Sequence, residues 1–237
     1  DLDADAFYEH FADGARPAVT TSQPSPGDFG AAYRRLAARG CTESGTVHLA
    51  EAMSVTVASA TLAARWAPLP VHVVDTGSAS FGVAVCVWAA GVAIARGGNA
   101  DDIRRRVDQL VPRIGTAFIV GVPLLTERSG RAGDVQLDGE GIPVLAMSGG
   151  ELEVLERVTT FDDTIDVMSA YVAERGGAST VAIGTSDSAS RVLGERLESG
   201  LDALPEVEHL VHARIGPRVG AHTGPGTVAL FVCPPIR

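Results

Sequence analysis

The chain has 237 residues, 46% of them apolar, enough to bury a sizeable core in one large domain or two small ones. Its formal net charge is −10, and all 19 of its Lys and Arg residues are arginines. That balance argues against a general phosphate-backbone binder, and the absence of lysine excludes Schiff-base and P-loop lysine chemistry.

Reading along the chain, helices alternate with short β-branched strands, the pattern of α/β layers. Asp28 is placed to cap a helix whose apolar side is Phe29, Ala32, Tyr33 and Leu36, with Gly40 at its stop. Val57 to Arg65 reads as a helix with Ser54 just ahead of it, in an N-cap position. Val71 to Asp75 reads as a short buried strand, and Phe81 to Ala95, apolar almost all round, as a buried helix. That run is too short for a bilayer span, which needs about twenty residues. Asn99 begins a helix through Leu110 whose charged side carries Asp101, Asp102, Arg104, Arg105 and Arg106, a solvated face.

After Pro112 the texture changes, which divides the chain into an N-terminal domain, 1–113, and a C-terminal domain, 114–237. In the second, Ala117 to Val122, Ile142 to Met147, Thr180 to Gly184, Glu208 to Arg214 and Thr227 to Cys233 read as strands. Helices are expected over Phe161 to Glu174 and Ser188 to Leu197, and the Gly-rich stretch from Ser129 to Gly141 is polar. Cys41, Cys86 and Cys233 are odd in number and widely spaced, with no disulfide or zinc pattern. No charged region followed by an apolar stretch opens the chain, so the expectation is a soluble cytoplasmic protein.

Three polar segments carry the functional signal. Thr21-Ser22-Gln23-Pro24-Ser25-Pro26-Gly27 and His222-Thr223-Gly224-Pro225-Gly226 are stiffened by proline and glycine, so they hold hydroxyls, an imidazole and backbone N–H groups in a defined shape. That suits a small anionic group. Ser54, at a helix start, faces N–H groups and a partial positive charge that stabilise a carboxylate or phosphate. Each also has a plainer role: Thr20, Thr21 and Ser22 as turn hydroxyls, Ser54 as a cap, His222 as a structural histidine.

The intact T-S-Q-P-S-P at Thr21 to Pro26, the D-[ST]-x-x-x-S-x-G pattern of Asp75, Thr76, Ser80 and Gly82, and the terminal H-T-G-P-G resemble the DegV family of bacterial fatty-acid-binding proteins. The resemblance implies two α/β domains with the ligand between them. It implies that Thr21, Ser22, Ser54, His222, Thr223 and Gly224 surround the carboxylate of a long-chain fatty acid, whose tail lies in an apolar tunnel. Burying a tail of about sixteen carbons supplies roughly 10 kcal/mol before ordering costs.

The resemblance further implies that Arg131, in a segment similar to the family's G-G-R, and Arg157 engage a separate fatty-acid kinase, which would supply ATP and metal. Neither a Walker motif nor a metal-ligand cluster is present in the chain, so it is expected to be a non-catalytic binding protein without a cofactor. Transient membrane contact is compatible with that role, nucleic-acid binding is not.

The chain departs from the family pattern in three places. Val55 and Val57 replace a glycine and a tyrosine of L-S-G-T-Y, and a φ > 0 at the glycine's position would strain Val55. Ala50 and Glu51 stand where many relatives carry serines. Only twenty residues precede Thr21, so a first strand that such chains carry is expected to be missing here, leaving a sheet edge unpaired. Two readings compete: a serine hydrolase with Ser54 as nucleophile, His222 as base and Asp75 as orienter, and a dihydroxyacetone-kinase-like subunit that binds a small hydroxyketone covalently at His222.

Overall fold

The computed structural model describes residues 3–15 and 17–236. The chain forms two compact units, one of Ser22–Arg113 and the other of Ile114–Pro235 together with the N-terminal stretch to Thr21. A division into 1–113 and 114–237 therefore differs from the compact units in where the N-terminal stretch lies. Helix α1 (Ala4–Glu9) accounts for the difference. It and the turn after it bury Phe7, Tyr8 and Phe11 in a cluster with Ala221, and the Tyr8 hydroxyl donates to the Ile215 carbonyl at 2.9 Å.

The unit from Ser22 to Arg113 contains α2 (Pro26–Ala38), β1 (Ser44–His48), α3 (Thr56–Ala64), β2 (Val71–Asp75), α4 (Phe81–Ala95) and α5 (Ala100–Leu110). The two strands pair in parallel from Ser44↔Val71 to His48↔Asp75. The cap of α2 is Ser25 and not Asp28: Asp28 is the third helical residue, and it closes a capping box with the Ser25 N–H at 2.9 Å. Pro26, pre-set for helical φ, takes the first helical position and moves the start forward. Asn99 and Asp102 form the same device on α5. Helix α4 runs as its apolar sequence indicates, but it is not buried all round, because Val87, Trp88 and Ile94 are exposed.

The other unit is built on a six-stranded sheet. Its elements are β3 (Gly115–Ile119), α6 (Pro123–Arg128), β4 (Ile142–Ser148), β5 (Glu151–Val158), α7 (Phe161–Glu174), β6 (Ser179–Thr185), α8 (Ser188–Leu201), β7 (Val207–Arg214), α9 (Pro217–Thr223) and β8 (Val228–Cys233). The strand order is β5-β4-β3-β8-β6-β7, antiparallel except for the parallel pair β6 and β7. Alternate residues Ala117 and Ile119, Val181 and Ile183, and Val228, Leu230 and Val232 meet Met168 and Val172 of α7 and Leu197 and Leu201 of α8. The two-residue period of strands and the near-four-residue period of helices meet there in one core. Thr160 and Asp187 cap α7 and α8, each in a capping box.

Candidate functional site

The site grows out of helix α9. Gly216 precedes it, Pro217 starts it, and Gly224 ends it at φ +76°, a conformation in which a side chain is strained. His222 therefore sits in the last turn of a helix, where a stiff loop was expected, and only Gly224-Pro225-Gly226 remain as the turn into β8.

That turn is held from three sides. Val122 N–H donates to the Thr223 carbonyl at 2.9 Å, and Gly121 N–H donates to Thr227 Oγ1 at 3.1 Å. Thr227 Oγ1 in turn donates to the Gly224 carbonyl at 2.8 Å. From the start of α8, Asp187 accepts from the Gly226 N–H at 3.1 Å, and Ser186 Oγ accepts from the Thr227 N–H at 2.9 Å. Burial pushes the Asp187 carboxyl up, but hydrogen bonds from Ser190, Gly226 and Ser186 outweigh it and hold the group below the ordinary carboxylate range. Gly121 has to be glycine, because a Cβ there would collide with the Pro225 carbonyl oxygen.

Braced in this way, His222 bonds through both ring nitrogens. Thr21 Oγ1 lies 2.9 Å from Nε2, and Arg131 Nη1 lies 3.2 Å from Nδ1. Arg131 is itself positioned: Ser129 Oγ accepts from its N–H at 3.3 Å and donates to the Thr126 carbonyl at 2.7 Å, while Thr126 Oγ1 donates to the His222 carbonyl at 2.7 Å. Burial, and then the Arg131 charge, lower the His222 pKa below that of an ordinary histidine, so the neutral imidazole is favoured. Thr21 is exposed, which leaves its hydroxyl accessible from solvent.

The segments that carry these three residues also wall a cleft of about 570 Å³. Pro17 lines it ahead of Thr21, Val122, Leu124 and Leu125 ahead of Arg131, and Pro225 after His222, with Glu127 and Arg128 also on its wall.

The remaining expected residues lie elsewhere. Thr223 and Gly224 adjoin His222, and Arg157 on β5 donates to the carbonyls of Gln136 and Asp138. Ser22 and Ser54 belong to the unit from Ser22 to Arg113. There Ser54 is not the cap of α3. Val55 holds that position without a side-chain hydrogen bond, while Ser54 Oγ lies 2.7 Å from Thr56 Oγ1 and accepts from the Thr56 N–H at 3.3 Å. Val55 has φ −73°, so no left-handed strain arises where the family pattern has glycine. Glu51 is exposed at its side chain, and its N–H donates to the Asp75 carboxylate, which also accepts from the Gly77 N–H at 2.9 Å. Asp75 thus orders backbone, and His222 bonds to Thr21 and Arg131. These are not the partners that a Ser54–His222–Asp75 triad requires.

Asp187, Ser186, Thr227, Gly121 and Thr126 were not singled out by sequence. The only trace they left was the cap-like Ser186-Asp187-Ser188 ahead of a helix, and nothing in it pointed to a turn some forty residues away. Among the described residues no group of histidine, cysteine and carboxylate side chains is arranged to hold a metal ion, and no helix is long and apolar enough to cross a membrane.

Comparison with known proteins agrees over nearly the full length. A family model described as "Uncharacterised protein, DegV family" matches residues 1–235. A DegV domain-containing protein of Streptomyces coelicolor is 34% identical over 225 residues, covering 92% of this chain and 79% of its own. One of Mycobacterium tuberculosis is 31% identical over 220 residues, covering 90% of this chain and 79% of its own. Among solved structures, a DegV family protein from Thermus thermophilus, described as fatty-acid binding, superposes with a TM-score of 0.86 at 29% identity, over 99% of this chain and 85% of its own. A DegV family protein from Streptococcus agalactiae shares the fold with a TM-score of 0.87 at 22% identity, over 99% and 84% of the two chains. With its fold, its signature segments and its relatives in agreement, the chain belongs to the DegV family.

Proposed function

We propose that this protein binds a long-chain fatty acid and presents its carboxylate to a separate kinase. The observation that carries the reading is the hydrogen-bonded trio of Thr21, His222 and Arg131, which gathers a hydroxyl, an imidazole and a guanidinium in the same unit whose neighbouring residues wall a largely apolar cleft. A carboxylate is an acceptor only, so it calls for donors, and a hydroxyl already backed by an imidazole supplies one. An acyl tail needs apolar walls, which Val122, Leu124, Leu125 and Pro225 offer. The described fatty-acid binding of the Thermus thermophilus relative supports the same ligand class.

Transfer of a phosphoryl group to the bound acid would fall to the partner, with the exposed Thr21 end facing it and Arg157 as a contact. Ser22 and Ser54, the other expected head-group residues, belong to the unit from Ser22 to Arg113, and Thr223 and Gly224 shape the backbone next to His222. The test is Thr21→Val, which keeps shape and removes the hydroxyl. Palmitate affinity measured by displacement titration should fall by about 1 to 3 kcal/mol, the cost of leaving a buried acceptor without its hydrogen bond. Equal affinity in wild type and variant would remove Thr21 from the site.

A further inference from the structure

We propose that Arg131 is a positioning residue that fixes which nitrogen of His222 carries the proton, and so reserves the Thr21 hydroxyl hydrogen for the ligand. The inference rests on the fatty-acid reading for the ligand's identity, but its first half concerns the protein alone.

A guanidinium only donates, so the 3.2 Å contact of Arg131 Nη1 with Nδ1 requires an unprotonated Nδ1. In a neutral ring the hydrogen must then be on Nε2, whose partner at 2.9 Å is Thr21 Oγ1. Thr21 therefore accepts from the ring, and its own O–H is left to point outward. The opposite tautomer reverses this order. With hydrogen on Nδ1, Nε2 becomes an acceptor, Thr21 spends its hydrogen on the ring, and only oxygen lone pairs face the ligand.

The two arrangements select different head groups. The first accommodates a carboxylate, and the second accommodates a head group that can donate, such as an alcohol. The backbone N–H of Arg131 is tied through Ser129 and Thr126 to the carbonyl of His222, so the chain that carries the guanidinium is anchored to the helix that carries the ring. A lysine here would keep a donor at Nδ1, and a methionine of similar length would not.

The experiment is nitrogen NMR of the His222 ring in delipidated protein at neutral pH, assigned by loss of its signals in His222→Asn. Wild type should show Nδ1 unprotonated and Nε2 protonated. Arg131→Lys should retain that pattern, and Arg131→Met should shift the ring toward protonated Nδ1. In the methionine variant the preference for palmitate over 1-hexadecanol should drop by about tenfold or more, the worth of one charge-assisted hydrogen bond. A wild-type ring protonated on Nδ1, or a methionine variant with the wild-type tautomer, would overturn the proposal. The ring measurement involves no ligand, so failure of wild type to bind palmitate while the ring behaves as expected would strike the fatty-acid reading and leave the tautomer assignment intact.

Discussion

In the unit built on the six-stranded sheet, strands β3 and β8 are buried throughout and β6 is buried except at Thr185, whereas β1 and β2 of the other unit contain no fully buried residue. The contrast follows from strand number. Six strands give central members a neighbour on each edge and helices to pack on, while each strand of a pair has an open edge. A pair by itself is marginal in water. The same unit leaves Trp66 at 73% and Ile94 at 61% exposure, values that no large apolar side chain of the sheet's central strands approaches. The lesson for function is that Thr21, Arg131 and His222 all belong to the well-packed unit.

Two glycine substitutions probe that contrast from opposite ends. Gly121→Ala drives a Cβ into the Pro225 carbonyl, a backbone atom that cannot swing away, and should cost about 3 kcal/mol. A urea denaturation midpoint equal to wild type would show that the turn is looser than described. Somewhat less is expected of Asp187→Ala, which strips an acceptor from the Gly226 and Ser190 N–H groups and uncaps α8. It should cost about 2 kcal/mol and weaken palmitate binding as the turn loosens. Loss of stability with unchanged affinity would confine Asp187 to holding the fold.

A smaller effect is expected from pH, and both units contribute to it. His222 and His48 are each held below the ordinary histidine pKa, in both cases chiefly by burial. Unfolded histidine takes up a proton near pH 6.5, so the unfolded state binds more protons just below that pH. Stability from these groups is fully present above about pH 6.5 and is lost as pH falls toward the lowered folded values. Asp187, depressed in the fold, adds a separate loss only below the ordinary carboxylate range. Denaturation at pH 7.5 and 5.5 should show the first loss, reduced in His222→Asn. An equal drop in that variant would place the titration elsewhere.

The smallest change has the opposite sign. Gly91 lies on the exposed side of α4 with nothing near a prospective Cβ, so Gly91→Ala should stabilise by about 0.5 to 1 kcal/mol. Destabilisation would mean that this face of α4 is occupied in solution.

Much of this was legible from sequence because local chemistry decided it. The Asn99 cap, the unbroken apolar run of β8 and the apolar spacing of α7 each specify their element without help from distant residues. β5 escaped detection because Glu151, Glu153, Glu156 and Arg157 give it the look of a solvated segment, as suits one of the sheet's two edge strands. β1 was hidden by Gly45 in a short run, and α9 by the glycines and prolines that start and stop it. At the site, the motifs marked Thr21 and His222, but the partnership of Arg131 with the ring and the hold of Asp187 on the turn depend on residues brought together by the fold. No local pattern encodes them.

The central claim is that Thr21, backed by His222, receives a fatty-acid carboxylate. A crystal structure of the protein with palmitate tests it most directly. The account predicts a carboxylate oxygen within about 2.5 to 2.7 Å of Thr21 Oγ1, the length of a charge-assisted O–H···O⁻ bond, with the Thr21–His222 contact preserved. Palmitate bound with its carboxylate away from Thr21, or a fully occupied crystal in which Thr21 has left His222, would contradict it.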